Sequence, residues 1–199
     1  MELGDAFGLM RKYSIDVVPS IITDSADEAI SFCKGKYPVA VKMASAREHK
    51  TDIGGVKLYI NSEKELSEAF ADMQRRFKGK VLVQKMVRGA EIIIGVKTDP
   101  QFGKLIMLGI GGIYVEIYKD VSLRVCPVDK KDVLEMIEEL KGKKVLSEYR
   151  GKKVNREAVV DAVIKMGKLA LKEGIKEIEV NPAIATAEKC YVVDVRVNE

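Results

Sequence analysis

The chain has no tryptophan, one histidine and three cysteines among its 199 residues. Cys33, Cys126 and Cys190 lie far apart, are odd in number and form no CxxC pair, so neither a disulfide framework nor a zinc site is expected. No apolar run approaches the roughly 18 residues that a membrane span requires. The opening MELGDAFGLMRKYSI scatters charge and lacks an uninterrupted apolar core, unlike a secretory signal. A reducing cytoplasm is the expected compartment. Acidic and basic residues, 30 and 34, nearly cancel to a net charge of +4. Together with the lack of an aromatic stacking cluster, this reads as a mixed solvated surface and not a nucleic-acid face. Internal repeats and low-complexity linkers are also absent. What remains is ordinary globular composition, 47% apolar and 32% charged, with enough chain to bury a real core.

The pattern predicts a short amphipathic helix over residues 1–13 and an extended stretch from Val17 to Ile22. Thr23 or Asp24 then opens a helix over 25–33, because short polar side chains accept from the free amides of a first turn. Pro38–Met43 and Val56–Ile60 read as strands. A helix follows Asn61-Ser62, supported by Leu66, Ala69, Phe70 and Met73 at helical spacing, and Val81–Met86 is a strand. Further strands are expected at Glu91–Lys97, Lys104–Leu108, Tyr114–Tyr118 and Val121–Val125, with Asp99-Pro100 as a turn. Lys131–Leu140 and Arg156–Leu171 are the most periodic helices. Glu177–Asn181 and Cys190–Val197 close the chain as strands. Strands and helices that do not strictly alternate indicate an α+β fold.

Five constellations could carry chemistry. Lys42 ends an apolar strand and is followed by His49-Lys50-Thr51-Asp52-Ile53-Gly54-Gly55-Val56. The lysine can offer one charge to a phosphate, and adjacent glycines let main-chain amides approach an anion. The GxxxxGK[ST] pattern of a P-loop is missing. On residue chemistry alone, this stretch is as readily a hairpin with solvated lysines. His49 in such a setting can act as a nucleophile in its neutral form, although a lone histidine is more often an exposed surface residue. Asn181 and Asp194 would face each other if their strands form a hairpin around residues 186–189. An amide oxygen and a carboxylate are suitable hard ligands for Mg²⁺; a capped turn with an Asp194–Arg196 ion pair is the plainer reading. Gln84-Lys85-Met86-Val87, with Glu91 beyond, can present backbone groups to a base and a carboxylate to ribose, or be a buried strand. Gly109-Ile110-Gly111-Gly112 lacks the third glycine of a dinucleotide fingerprint; it could be a second phosphate-facing turn, and a tight β-turn is the plainer reading.

The order of these segments says more than any one of them. Pro38-Val-Ala-Val-Lys42, His49 through Val56, Val83-Gln84-Lys85-Met86-Val87, Gly89-Ala90-Glu91, Asp99-Pro100-Gln101-Phe102-Gly103, Gly109 through Gly112, Glu179-Val-Asn181-Pro182 and Val193-Asp194-Val-Arg196 follow one another. Together they resemble the ATP-grasp β subunit of ADP-forming acyl-CoA synthetases, relatives of succinyl-CoA synthetase. The resemblance implies an ATP-grasp fold of two α+β lobes with the nucleotide between them. Residues 1–87 would form the N-terminal helix and first lobe, and 88–199 the second. It implies reversible conversion of acyl-CoA, ADP and phosphate to acid, CoA and ATP through phosphohistidine. The implied partner is a CoA-binding α subunit in an α2β2-type assembly. His49 matches the relay histidine, and Lys42 the phosphate-binding lysine, beside Gly54 and Gly55. Gln84, Lys85, Met86 and Val87 match the adenine hinge, Glu91 the ribose-side acid, and Asn181 and Asp194 the Mg²⁺ ligands. Gly111, Gly112, Glu116 and Arg124 would lie near the phosphates. Two other readings remain: a self-contained ATP-grasp ligase or kinase, and a non-catalytic nucleotide-binding regulatory module.

Overall fold

The computed structural model describes residues 1–44, 53–112 and 120–198. His49, Glu116 and the strand expected at Tyr114–Tyr118 lie outside the described residues. The chain forms two compact units. The small unit comprises residues 2–4 and 18–87, and the large unit residues 1, 5–17 and 88–199. Helix α1 is Leu3–Lys12.

In the small unit, β1 (Ser20–Thr23), β2 (Val39–Met43), β3 (Val56–Ile60) and β4 (Val81–Lys85) form an antiparallel sheet in the order β1-β4-β2-β3, with helices α2 (Ala26–Cys33) and α3 (Glu63–Phe77). Ser25, not Thr23 or Asp24, caps α2: its hydroxyl accepts from the Glu28 amide at 3.3 Å. Thr23 serves one step earlier, its Oγ1 accepting from the Ser25 amide at 3.0 Å. Ser62 caps α3 in the same way, through the Glu65 amide. Because side chains alternate along a strand, Val39, Val41, Val81 and Val83 share one face. On it they pack with Ala29 and Cys33 of α2 and with Leu66, Ala69, Phe70 and Met73 of α3. Truncating Phe70 to alanine in this core is expected to cost about 3–5 kcal/mol. The opposite face carries Ala40, Lys42, Leu82 and Gln84.

The large unit contains β5 (Ala90–Asp99), β6 (Gly103–Ile110), β7 (Val121–Val125), α4 (Lys130–Glu139), β8 (Glu148–Tyr149), β9 (Lys152–Lys153), α5 (Arg156–Lys172), β10 (Glu177–Ala185), β11 (Cys190–Val192) and β12 (Val195–Asn198). Its main sheet runs β11-β10-β5-β6-β7, with β12 pairing β10 beyond β11. The β5–β6 turn is set by Asp99, whose Oδ1 accepts from the amides of Gln101 and Phe102 at 2.8 and 3.0 Å. Helix α4 starts with a capping box between Asp129 and Asp132, and Asn155 caps α5. A side chain at Gly167 of α5 would meet Ile106 and Val128, which identifies the helix-covered face of the sheet. Ile92, Ile94, Val96, Ile106, Leu108, Ile178 and Val180 are buried there. Glu91, Ile93, Gly95, Leu105, Met107, Leu123, Val125 and Glu179 lie on the other face by alternation.

The β10 strand is irregular where the chemistry was expected. Between Val180 and Ala183 its register against β5 shifts, because Val180 pairs with Ile94 and Ala183 with Ile92. The returning chain, read from sequence as one strand over Cys190–Val197, breaks into β11 and β12 at the same level. Pro182 has no amide to donate, and its carbonyl accepts from both Val193 and Asp194, at 3.2 and 3.4 Å. The break changes the alternation. Cys190, Val192, Val195 and Val197 are the buried residues, whereas strict alternation groups Tyr191, Val193, Val195 and Val197.

Candidate functional site

Small-unit geometry starts from register. Lys42 pairs with Leu82 and Ala40 with Gln84, so Lys42 and Gln84 lie on the same sheet face of neighbouring strands, with the Val41–Val83 pair between them. Both polar side chains are shielded, with only 8% and 1% of their surface exposed. The segment leaving β4 is held by main-chain contacts. The Lys85 amide donates to Pro19 at 2.9 Å and the Met86 amide to Pro38 at 3.0 Å. The Met86 sulfur accepts from the amide of Tyr59 at 3.1 Å. Lys85 is exposed, while Met86 and Val87 are half-buried. Gly54 has φ +67°, a conformation glycine adopts without steric cost. Its carbonyl and that of Ile53 accept from Arg76 of α3, and the Gly55 carbonyl accepts from Met43, beside Lys42.

The large unit brings Glu91 against Gly111-Gly112. The Gly111 amide donates to the Glu91 carbonyl at 2.6 Å. A Cβ at Gly111 would stand 2.8 Å from the Glu91 carbonyl carbon, and one at Gly112 3.5 Å from Glu91 Oε2. The glycines therefore permit close approach to the strand that carries Glu91, which is exposed. Asn181 and Asp194 meet at the irregularity in β10: the Asn181 amide donates to the Asp194 carbonyl at 3.2 Å. The turn joining their strands lies at 186–189, closed by the Thr186 amide on the Lys189 carbonyl at 2.8 Å. Asn181 is exposed and Asp194 half-buried. One Asp194 carboxylate oxygen accepts from the following amide, Val195, at 3.1 Å.

Arg124, expected near the phosphates, is tied to helix α4. Its guanidinium pairs with Glu139 of α4 at 2.6 Å and approaches Glu135 at 3.8 Å. The Ser122 hydroxyl also donates to Glu139. The Arg124 guanidinium and this hydroxyl hold the Glu139 carboxyl down to about 2. Register explains the placement, since Arg124 pairs with Ile106 and Ser122 with Leu108, on the helix-covered face. Asp120 is likewise structural, its carboxylate accepting from the amides of Lys141 and Gly142, each at 2.8 Å.

The sequence matches the ATP-grasp domain family over residues 2–198. It is 41% identical to the β subunit of the ADP-forming acetate–CoA ligase I of Pyrococcus furiosus, over 96% of this chain and 88% of that one. The chain belongs to the ATP-grasp family, in its branch of ADP-forming acyl-CoA synthetase β subunits. A longer member, the ADP-forming acetate–CoA ligase I of Archaeoglobus fulgidus, is 38% identical over 94% of this chain, which spans 29% of that protein. Among solved structures, the dinucleotide-forming acetyl-coenzyme A synthetase 1 of Ca. Korarchaeum cryptofilum, in complex with coenzyme A, Ca-AMPCP and HgCl+, superposes with a TM-score of 0.89 at 35% identity. The match covers 99% of this chain and 92% of that one. A second structure of that synthetase holds coenzyme A and Mg-AMPPCP, with its phosphohistidine segment pointing towards the nucleotide binding site. Its TM-score is 0.84 at 36% identity, covering 98% and 90% of the two chains.

Within this ATP-grasp chain, sequence reading missed Arg76 and Asp72. An acid and a base four apart on a helix is a common surface pair. Nothing in the spacing announces that the arginine reaches the carbonyls of Ile53 and Gly54.

Proposed function

We propose that this chain is the nucleotide-binding subunit of an ADP-forming acyl-CoA synthetase. The enzyme converts acyl-CoA, ADP and phosphate to acid, CoA and ATP, reversibly, and this subunit passes the phosphoryl group between phosphohistidine and ADP or ATP. The observation that carries the reading is the match of 96% of the chain to a relative that is itself a β subunit. The Korarchaeum complex with its phosphohistidine segment turned towards the nucleotide supports the relay.

In the small unit, Lys42 gives one positive charge to the phosphates. Shielded from water, an ammonium interacts with phosphate more strongly than it does in bulk solvent. Gly54 and Gly55 let phosphate oxygens approach the main chain. Gln84, Lys85, Met86 and Val87 receive the adenine, with the Met86 amide already committed to Pro38. In the large unit, Glu91 accepts from ribose hydroxyls. His49 takes up the phosphoryl group: a neutral imidazole nitrogen bonds to phosphorus as the donor's bond to phosphorus breaks.

Asn181 and Asp194 suit Mg²⁺ by their chemistry. Both offer hard oxygens, and their backbones are hydrogen-bonded at one point of the sheet. Among the described residues there is no cluster of three or more His, Cys, Asp or Glu fit to hold a metal. A site with few protein ligands is what Mg²⁺ uses when phosphates and water complete its shell. When bound, Mg²⁺ neutralises charge on the transferring phosphoryl group. Asn181 and Asp194 fix where that charge is neutralised.

The proposed partner is a separate CoA-binding α subunit, in an α2β2-type hetero-oligomer, in keeping with a relative that is itself a β subunit. Free cysteines at positions 33, 126 and 190 suit a reducing cytoplasm. No helix among the described residues is long and apolar enough to cross a membrane.

The test is reconstitution. This chain, mixed with its CoA-binding partner, is expected to make ATP from acyl-CoA, ADP and phosphate. No ATP across several short and aromatic acyl-CoAs would sink the reading. Acid-labile phosphate on this chain is expected to vanish in His49→Ala, and equal labelling of the variant would remove the relay role.

A further inference from the structure

The last turn of α3 does something a solvated helix end does not require. Arg76 places one guanidinium nitrogen 2.7 Å from the Ile53 carbonyl and another 3.2 Å from the Gly54 carbonyl. These are the first two described residues after the stretch that contains His49. A Cβ at Gly54 would lie 2.9 Å from one of those nitrogens and 3.1 Å from the other. The guanidinium thus rests against the bare face of a residue with φ +67°. The next carbonyl, Gly55, accepts from Met43 at 2.9 Å. Three successive carbonyls are therefore tied down, two to α3 and one to the strand of Lys42.

Arg76 is itself held. Asp72, one helical turn earlier, lies 3.6 Å from it and also takes Lys57 at 2.8 Å and Arg75 at 2.7 Å. The guanidinium also lies 4.9 Å from the ring centre of Phe77. Hydrogen bonds from an ionised donor are stronger than neutral ones, and the planar fork of arginine holds two acceptors in a fixed geometry that a lysine cannot copy.

We propose that Arg76, braced by Asp72, is a positioning residue for the phosphoryl relay: it fixes the main chain immediately after the His49 segment relative to the strand that bears Lys42. The proposal rests on the relay reading of His49. Phosphoryl transfer depends on in-line placement, and a displacement of about 1 Å costs on the order of 100-fold in rate. In this role Arg76 does not touch the substrate, so its loss acts on turnover and not on nucleotide affinity.

The experiment uses the complex with the CoA-binding partner. ATP formation is measured at varied ADP for wild type, Arg76→Lys, Arg76→Ala, Gly54→Ala and His49→Ala, with Lys64→Ala on exposed α3 surface as control. Mg-ADP binding and thermal midpoint are read in parallel. The expected result is a fall in kcat on the order of 10- to 100-fold in both Arg76 variants and in Gly54→Ala, without rescue by lysine. In the two Arg76 variants KM for ADP and the thermal midpoint should stay near wild type, and Lys64→Ala should be unchanged. Two outcomes overturn the proposal: wild-type turnover in Arg76→Lys or Arg76→Ala while His49→Ala is inactive, or parallel losses of turnover, ADP binding and thermal midpoint. Full ATP formation by His49→Ala overturns the relay reading itself, and the proposal with it.

Discussion

Replacing Gly111 with alanine isolates the contact between the glycine pair and Glu91. The added Cβ would sit 2.8 Å from the Glu91 carbonyl carbon, 2.9 Å from Glu91 Cβ and 2.9 Å from the Ile92 nitrogen. Two of the three are main-chain atoms of β5, which has neighbours on both sides and cannot swing away as a surface side chain would. Carbon contacts are optimal at about 3.5–4.0 Å, so β5 or the Gly111 backbone must give by at least about 0.7 Å. Overpacking of this kind costs about 1–3 kcal/mol, which in a chain of this size lowers Tm by roughly 2–4 °C per kcal/mol. The displacement falls on Glu91, so Mg-ADP affinity should weaken in the same variant. Gly8→Ala is the matched comparison, because Gly8 is exposed within α1 and a Cβ there meets nothing within 4 Å. It should stabilise the chain by up to about 1 kcal/mol, through helix propensity and a less disordered unfolded state. Paired thermal melts and calorimetric ADP titrations make the check. A Gly111→Ala protein as stable and as tight-binding as Gly8→Ala would refute the reasoning, since it would mean that the close approach of Gly111 to β5 does not exist in solution.

Removing Mg²⁺ with EDTA should weaken ATP binding to the level of an Asn181→Ala, Asp194→Ala double variant, and calorimetry in which the variant still responds fully to Mg²⁺ would exclude both residues as ligands. Glu139 carries a folded-state pKa of about 2 against an ordinary 4.5. The stability it contributes is therefore complete above about 4.5 and is lost as pH falls towards 2. Arg124→Ala should begin to unfold at higher pH on the acid side than wild type, as followed by far-UV circular dichroism. Burial raises the Cys190 thiol to about 12 and also raises Cys33 and Cys126. Of the three, Cys126 is the one with appreciable exposure. A thiolate-selective reagent at pH 8 should label Cys126 first and reach Cys33 and Cys190 only on unfolding. Equal native-state rates at all three sites would contradict the packing.

Much of the fold was legible because its signals are local. Leu66, Ala69, Phe70 and Met73 announce α3 by spacing, and Asp99-Pro100 announces its turn. The cap of α2 was misplaced because Thr23, Asp24 and Ser25 are all competent acceptors and only the chain path chooses among them. The β8–β9 hairpin was missed because two-residue strands have no periodicity to read. The site divides in the same way. The proximity of Asn181 and Asp194 followed from a hairpin that sequence could suggest, and the phase change at Val193-Asp194 did not, because it depends on where Pro182 accepts hydrogen bonds. Arg124 was expected near the phosphates, and its pairing with Glu139 on the helix side was not legible because it depends on register. Arg76 was invisible because its partners are carbonyls, which every residue possesses.

The irregularity in β10 also bears on how this region can change in length. From Val180 to Ala183 the strand advances three residues while β5 advances two, and the returning chain, from Val195 to Val192, likewise advances three. The hairpin thus agrees with itself and exceeds its neighbour by one residue on each strand. A deletion in either strand alone would slide one half of the hairpin against the other and exchange its inward and outward side chains. Paired deletions, one at 181–182 and one at 193–194, would restore an unbroken ladder over the same core. Asn181 and Asp194 therefore sit in a matched insertion, which can be gained or lost as a pair without redesign of the sheet that carries it.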